Sequence, residues 1–306
     1  MPGYSSYDTV GAKEDVSDVI SNITPTKTPF QSMIGSEKVH NTLFEWQEDE
    51  LRDAAANAKV EGFDATAVDR DPTWKRQNYT QILSDTFQVT GTNDAIAYYG
   101  RVKESAYQAA KVMSQLKRDF EYALVGVHTA AAAGDSSTAR YFANYAKQLV
   151  ATTASAAGSP AQWIKTGGTT TVVSEANVLD VQEYLYDEGA DANTLMVTPV
   201  NSRSISDWVK ASGEVRTRDI GNGRTLVNVI DVYVSPFGKL NVVMNRFLKA
   251  GNTLIFDPAM WVKCTLRPWF RETLAKTGDN MKMMVVGEFS LKHKNWKASG
   301  LITEEA

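Results

Sequence analysis

The chain has few of the side chains that bind metals or form disulfides. Its 306 residues include one cysteine, Cys264, so no intrachain disulfide can form. The three histidines are His40, His128 and His293; they lie far apart, and none has a partner at the spacing of a metal-binding motif. We therefore expect each histidine to be solvated or structural, and Cys264 to be a small half-buried strand residue.

Long apolar runs and an excess of basic residues are also missing. No segment approaches the roughly 18 apolar residues of a membrane span, and the N-terminal residues lack the basic and apolar regions of a signal peptide. Lys and Arg number 32 against 36 Asp and Glu, a formal net charge of −4. This composition predicts a soluble protein without an export signal, and it argues against generic nucleic-acid binding as the main task.

Sequence motifs of the common enzyme classes are absent as well. The chain has no phosphate-binding glycine loop, no dinucleotide-binding glycine pattern, no nucleophile elbow and no zinc-protease motif. No pair of carboxylates stands out among the 36 acidic residues. We therefore predict that the protein is not an enzyme and has no catalytic, cofactor-binding or metal site and no cofactor.

An apolar stripe between Asp94 and Ala132 is the clearest positive signal. Its members recur at steps of three and four, which predicts one long amphipathic helix capped by Asn93 or Asp94. They are Tyr99, Val102, Ala106, Ala109, Met113, Leu116, Phe120, Ala123 and Val127. Such a helix would be about 58 Å long, whereas a compact chain of this length is roughly 50 Å across. We interpret the stripe as part of an elongated molecule or of a coiled coil, and both favour a component of an assembly.

The N-terminal third predicts an arm followed by a ribbon. Residues 1–37 are polar and proline-punctuated, which is typical of an extended arm with at most a short helix at 15–21. Residues 40–51 and 79–89 are rich in β-forming side chains and predict two antiparallel strands joined by a long polar loop. A two-stranded ribbon is marginally stable in water, so we expect it to pack on a neighbour.

The second half predicts short alternating helices and strands, an α+β arrangement. Ser174 and Gly189 are suitable caps for one helix, and Pro199 suits the first turn of another. Residues 130–168 predict a loop region with one small element, and Asn222-Gly223 predicts a turn. The predicted helices cover residues 175–188 and 201–211, and the predicted strands cover residues 194–198, 226–234, 240–244, 253–256, 261–266 and 281–293.

Side chains on and near the ribbon are the candidates for contacts between subunits. Phe44 and Trp46 are aromatic residues on a marginal element, which is typical of a partner surface. The neighbouring acidic stretch is either a solvated edge that resists aggregation or a contact with basic residues of an adjacent subunit. The full set of candidates is Phe44, Glu45, Trp46, Glu48, Asp49, Glu50, Lys263, Arg267 and Arg271.

The order of arm, ribbon, long helix, α+β subdomain and closing sheet resembles the major capsid protein of tailed bacteriophages, which has the Hong Kong 97-type fold. The residue-level likeness lies in Val16–Pro25 with Thr28–Phe30, and in Leu274–Asp279 with Val286–Leu291. These stretches begin and end the chain, so the resemblance covers nearly all of it. It implies an N-terminal arm (1–37), an E-loop ribbon (38–92), a P-domain with spine helix and following loop region (93–173), an A-domain (174–248) and a returning P-domain sheet (249–306).

The resemblance also implies what the protein does and with what. Copies of the chain would form pentamers and hexamers of an icosahedral virion capsid, assembled in the bacterial host cytoplasm, which encloses double-stranded DNA without sequence-specific binding. A portal, a separate scaffolding protein and decoration proteins would be partners. Because the arm follows Met1 directly, we expect a separate scaffold or none, and no cleavage of a long propeptide. No motif supports a covalent crosslink between subunits.

Two alternatives are left open by the sequence. An encapsulin-like nanocompartment shell would share the fold but enclose a cargo enzyme. An intracellular α+β enzyme with a coiled-coil dimer seam would instead be a small dimer with a catalytic pocket.

Overall fold

The computed structural model describes residues 23–52, 54–67, 70, 72–127, 129–149, 164–166, 173–211, 217–219, 224–226 and 232–303. These residues divide into two units. The first contains residues 23–26, 84–116 and 270–285, and the second contains residues 27–83, 117–269 and 286–303.

The described elements mix helices and strands along the whole chain. The helices are α1 (Pro29–Met33), α2 (Gly91–Ala95), α3 (Glu104–Val125), α4 (Tyr145–Leu149), α5 (Glu175–Asp187) and α6 (Pro199–Ala211). The strands are β1 (Gly35–Lys38), β2 (Leu43–Glu48), β3 (Trp74–Tyr79), β4 (Gln81–Thr90), β5 (Ile164–Thr166), β6 (Thr194–Val197), β7 (Thr217–Asp219), β8 (Arg224–Leu226), β9 (Val232–Ser235), β10 (Gly238–Met244), β11 (Thr253–Phe256), β12 (Trp261–Thr273), β13 (Asn280–His293) and β14 (Ser299–Thr303).

The long helix is shorter than its apolar stripe predicts. Helix α3 has 22 residues and is about 33 Å long, so the prediction of one helix over 94–132 is wrong. Helix α2 ends at Ala95, because the backbone of Ile96 is extended (φ −70°, ψ 140°), and Gly100 in the segment before α3 has φ 73°, a left-handed conformation. Tyr99 and Val102 lie in this segment outside both helices and are 45% and 94% exposed. Helix α3 is therefore short enough for a compact molecule of this length, contrary to the expectation from the stripe.

Both ends of α3 make specific close contacts. The Asp94 carboxylate accepts a hydrogen bond from the backbone N–H of Ser105 at 3.0 Å, which caps the first turn and lowers the pKa of Asp94. After Val125, a side chain at position 126 would place its Cβ 2.6 Å from the Phe247 carbonyl oxygen. Glycine is therefore required at this close approach.

The ribbon uses a different second strand from the one predicted. Strand β2 pairs antiparallel with β3, from Leu43 opposite Tyr79 to Glu48 opposite Trp74. The predicted strand at 79–89 corresponds to β4, which belongs to a four-stranded sheet in the order β1-β12-β13-β4. The sequence of β3 did not predict a strand because it contains charged side chains, which are not typical of strands. In the structure, its Lys and Arg side chains form ion pairs across the ribbon.

A six-stranded mixed sheet has the order β5-β14-β11-β6-β10-β9. Strand β10 runs parallel to β6, whereas β11 runs antiparallel to β6 and to β14. The closing strands therefore divide between two sheets: β11 and β14 join this one, while β12 and β13 join the four-stranded one. The prediction of a single closing antiparallel sheet is wrong in this respect.

The helices and caps of the α+β segment confirm their sequence signals. The Ser174 hydroxyl accepts from the Asn177 N–H at 3.2 Å, Gly189 has φ 74°, and α6 begins at Pro199. The predicted turn at 222–223 and the middle of the predicted strand at 226–234 lie outside the described residues, as do residues 1–22 with the predicted short helix.

Two hydrophobic clusters fill the second unit. The first surrounds Phe30, Phe120 and Trp261, which are at most 1% exposed. The second joins Val178 of α5 to Leu195 of β6 and Ile255 of β11. Cys264 is fully buried in β12, and burial raises its pKa to about 12. In the described part of the chain, no helix is long and apolar enough to cross a membrane.

Candidate assembly surfaces

Two ion pairs link the strands of the ribbon in addition to the backbone pairing of β2 with β3. Glu45 lies 2.6 Å from Lys75, and Glu48 lies 2.8 Å from Arg76. The second pair is largely buried, with side chains 8% and 15% exposed, and this burial raises the pKa of Glu48 and lowers that of Arg76. Arg76 also donates to the Gln148 carbonyl oxygen at 3.2 Å. Two of the candidate contact residues, Glu45 and Glu48, thus have partners within the chain.

The two candidate aromatic residues form a half-buried stack on β2. The rings of Phe44 and Trp46 lie 5.7 Å apart at an interplanar angle of 23°. The Trp46 indole N–H donates to Glu48 at 3.1 Å. Their stacking shields part of each ring within the subunit, and their contact with a neighbour stays a prediction.

The remaining charged candidates fall into two groups. Glu50 pairs with Lys297, which also lies 2.8 Å from Glu188, and Arg267 lies 2.9 Å from Glu288. Asp49, Lys263 and Arg271 have exposed or half-exposed side chains. Three candidates therefore stay accessible for a charged contact between subunits.

Buried polar side chains hold the junction between β3 of the ribbon and β4 of the four-stranded sheet. Asn78 is fully buried and donates to the Leu291 carbonyl oxygen at 2.7 Å, while its own carbonyl accepts from the Ala143 N–H at 2.8 Å. The Ser290 hydroxyl donates to the Tyr79 carbonyl oxygen at 2.6 Å. Sequence reasoning missed these residues because their partners lie 65 to 213 positions away.

Glu288 is the centre of a second buried network. Its carboxylate accepts from Arg140 at 2.6 Å, from Arg267 at 2.9 Å and from the Thr80 hydroxyl at 2.6 Å. Arg140 also donates to the Thr80 carbonyl oxygen at 3.2 Å. The Glu288 side chain is 4% exposed, so the two guanidinium groups provide the charge that its burial requires.

Glu121 on α3 binds the first turn of α1, a helix within the predicted N-terminal arm. Its carboxylate accepts from the backbone N–H groups of Phe30 and Gln31 at 2.7 and 2.9 Å and from the Asn245 amide at 2.8 Å. Burial raises the pKa of Glu121, and these hydrogen bonds oppose the increase. Pro29 at the start of α1 has no backbone N–H, so the Glu121 carboxylate accepts hydrogen bonds from the N–H groups of the next two residues.

The loop between β2 and β3 carries apolar side chains into solvent. Leu51, Val60 and Phe63 are 91%, 76% and 53% exposed. Residues 49–52 and 54–67 contain no helix or strand. Large exposed apolar groups on such a segment are typical of a partner surface, and a contact of this loop with a neighbour stays a prediction.

The histidines provide no metal site in the described residues, where no group of His, Cys, Asp and Glu is arranged to hold an ion. His40 is exposed between β1 and β2, and His128 lies outside the described residues. His293 is fully buried and stacks on Trp261 with ring centroids 3.9 Å apart. Its Nε2 lies 3.0 Å from the Ser299 hydroxyl oxygen, so its role is structural.

Solved shell proteins share this fold. The chain is similar to the capsid of a native GTA particle (TM-score 0.64, 12% identity, 98% of each chain). It is also similar to a protein of Mycobacterium phage Cain (TM-score 0.61, 13% identity, 99% of this chain and 98% of that one). A third similar structure is the SrpI encapsulin of Synechococcus elongatus (TM-score 0.60, 9% identity, 96% and 92%). The fold is therefore the Hong Kong 97-type capsid fold, as the sequence resemblance implied.

Sequence comparison identifies the family within this class. The family described as SU10 major capsid protein matches residues 3–306. The major capsid protein of Escherichia phage Phieco32 is 28% identical over 341 aligned positions, which cover 98% of this chain and 96% of that protein. The chain belongs to the SU10 major capsid protein family, and it is a major capsid protein of a tailed phage. This is a family of structural shell components and not an enzyme class.

Proposed function

We propose that copies of this chain assemble in the host cytoplasm into pentamers and hexamers that close into an icosahedral shell around double-stranded DNA. The family match over residues 3–306 carries this proposal. Portal, separate scaffolding and decoration proteins would complete the particle. The wall would enclose the genome without sequence-specific binding, and the lack of an excess of basic residues over acidic ones fits a wall that does not grip the phosphates of the DNA.

The exposed loop between β2 and β3 supports a contact with the neighbouring subunit. Leu51, Val60 and Phe63 gain burial only when another surface covers them, and full burial of such a side chain contributes about 1.5–3 kcal/mol. Asp49 and Arg271 are exposed, and we propose that charged contacts through such residues help to set the register between subunits. The candidate contacts of the ribbon are therefore proposed as part of the interface between subunits.

An encapsulin-like shell is the second candidate, since the fold is shared with the SrpI encapsulin. The two differ in content, because a phage capsid encloses DNA whereas an encapsulin encloses a cargo protein. Nuclease-resistant DNA in particles from an infected host would support the capsid, and a co-purifying enzyme in the absence of DNA would support the alternative.

Negative-stain electron microscopy and light scattering of the full chain, expressed alone and with its scaffold, test the proposal. We expect closed shells, or rings of five or six subunits. The double variant Val60→Ser/Phe63→Ser should shift the chain toward free subunits with an unchanged circular dichroism spectrum. Lys59→Ser in the same loop, which removes a polar side chain, is the matched control.

Two outcomes would contradict these proposals. A native chain that stays a monomer or dimer with its scaffold present would overturn the shell assembly. A double variant that assembles like the native chain would leave assembly standing but remove the role of the loop.

A further inference from the structure

One lysine pairs with both the loop between β2 and β3 and the end of a helix. Lys297 lies in the short 3₁₀ turn Trp296–Ala298, between β13 and β14. Its ammonium group forms one ion pair with Glu50 and another with Glu188, the second at 2.8 Å. Glu50 lies at the start of the loop, just beyond the end of β2, and Glu188 caps the C-terminus of α5. The lysine therefore joins three segments that are distant in sequence.

The surroundings of Lys297 favour this double pairing. The Asn295 side chain accepts from the Lys297 backbone N–H at 3.0 Å, which fixes the turn that carries the lysine. The C-terminal end of α5 is the negative end of the helix dipole, which attracts a cation. Although partial burial lowers the pKa of Lys297, its hydrogen bonds to Glu188 and Glu50 raise this pKa above the usual value. The ammonium group is therefore charged at neutral pH.

A buried ring connects this turn to the ribbon itself. The Trp296 side chain is buried, and the Lys297 ammonium and the Arg76 guanidinium lie 5.7 and 5.2 Å from the centre of its ring. Both distances allow a cation–π contact. Arg76 of β3 pairs in turn with Glu48 of β2. The same turn thus contacts β3 through Arg76 and the start of the loop through Glu50.

These contacts lie next to the exposed apolar part of the loop. Leu51 follows Glu50 directly and is 91% exposed, and Val60 and Phe63 are exposed further along the loop. Fixing Glu50 therefore fixes the point at which the loop leaves the subunit. It also reduces the conformational entropy that the loop loses when a neighbour covers it.

We infer that Lys297 is a positioning residue for assembly, which tethers the start of the loop and sets where its apolar side chains meet a second copy of the chain. The inference rests on the proposed function, in which a neighbouring subunit covers this loop. A second copy is the partner because the chain belongs to a family of major capsid proteins. Ion pairs between partly exposed groups are screened by salt, so the tether should weaken as ionic strength rises.

Double electron–electron resonance on the unassembled full-length chain tests the tether. Leu51→Cys and Glu183→Cys provide exposed spin-label sites at the start of the loop and on α5. Cys264 is buried and should stay unlabelled, which labelling of the chain without the new cysteines verifies. With Lys297 in place we expect one narrow distance distribution at about 0.1 M salt that broadens at about 1 M, where the screening length falls from about 10 to about 3 Å.

Lys297→Gln should lose the narrow distribution already at the lower salt concentration. Each partly exposed ion pair changes the ratio of tethered to released chains by up to about fivefold, and this variant loses two such pairs. Lys297→Arg should recover the narrow distribution, because a guanidinium group carries enough donors to bind both carboxylates.

Lys292→Gln is the matched control, because it removes an ion pair of similar exposure. Lys292 and Glu37 are 20% and 47% exposed, against 18% and 37% for Lys297 and Glu50. The distance distribution of this control should equal that of the native lysines. An unchanged distribution in Lys297→Gln would overturn the inference, and a loss of stability on urea unfolding without a change in distance would show a merely stabilising role.

Electron microscopy and light scattering of the unlabelled chains, expressed with the scaffold, measure assembly independently. Lys297→Gln should give fewer closed shells than the native chain, whereas Lys297→Arg and Lys292→Gln should give the native yield. A normal yield from Lys297→Gln despite a released loop would overturn the positioning role and leave the proposed shell intact. A native chain that forms no shells would instead contradict the proposed function, and the distance measurement would still decide whether Lys297 tethers the loop.

Discussion

His293 shows how a titratable group can be part of the hydrophobic core. It is fully buried against Trp261, and the Ser299 hydroxyl both accepts from the Trp261 indole N–H at 2.9 Å and lies 3.0 Å from His293. Burial, with a smaller contribution from the charge of Arg76, holds the pKa of His293 well below its usual value of 6.5. The imidazole is therefore neutral in the folded chain at neutral pH.

We predict that this histidine makes the subunit sensitive to acid. Because its pKa is lower in the folded state, its contribution to stability is complete above about pH 6.5 and decreases by up to about 1.4 kcal/mol per pH unit as pH falls from there toward the folded pKa. The variant His293→Phe keeps the stacking and should reduce this loss, as measured by urea unfolding of the unassembled chain between pH 7 and 5.

Exposed His40 provides the control for this titration. His40→Gln should retain the pH dependence of the native chain, since His40 lies in solvent between β1 and β2. If His293→Phe and the native chain lost stability equally on acidification, the assignment of acid sensitivity to His293 would be wrong.

At the scale of elements, the junction between β3 and β4 determines how the ribbon is attached. The Asn78 side chain adds to the backbone pairing at this point by binding Leu291 of β13 and Ala143 of the segment before α4. The side chain of Gln148 also donates to the Leu291 and Ala143 carbonyl oxygens. The junction is thus joined to two other parts of the chain by hydrogen bonds inside a buried region.

Removing the Asn78 amide should loosen the ribbon selectively. Asn78→Ala leaves the Ala143 N–H without its acceptor, which costs about 1–3 kcal/mol. We expect faster hydrogen exchange in β2 and β3 and little change in the six-stranded sheet, as measured by mass spectrometry. The neighbouring half-exposed Gln77→Ala is the control, and equal exchange in both variants would show that Asn78 does not clamp the ribbon.

At the scale of the whole molecule, Glu288 connects segments that are distant in sequence. Thr80 is 208 positions away, Arg140 is 148 away and Arg267 is 21 away. The carboxylate therefore links the junction between β3 and β4, the segment after α3 and β12 at one point on β13. Each of these contacts depends on the tertiary fold, which brings the distant segments together.

Glu288→Gln should destabilise the folded subunit by about 1–3 kcal/mol, because hydrogen bonds to a charged group are lost while the arginine side chains remain. The effect is moderated by solvent, since Arg267 and Arg140 are 45% and 28% exposed. Urea unfolding of the unassembled chain measures it. The exposed Glu183→Gln should change stability by no more than about 0.5 kcal/mol, and a similarly small effect of Glu288→Gln would refute the network.

Local sequence signals predicted many elements correctly. The serine cap and glycine end of α5, the start of α6 at Pro199 and strand β11 follow from caps, turn residues and β-forming runs. Leu116 and Phe120 of the apolar stripe are buried as predicted. The order of elements also supported the capsid resemblance, which the family match confirms.

The sequence alone determined the local elements, the fold class and the family resemblance, because caps, periodicity and element order are encoded by residues close together along the chain. Tertiary structure decided the true length of α3, the pairing of β2 with β3 and the division of the closing strands between two sheets. It also decided the partners of Asn78, Glu121 and Glu288. These features depend on contacts between residues far apart in sequence, where neither periodicity nor spacing shows which group will meet which.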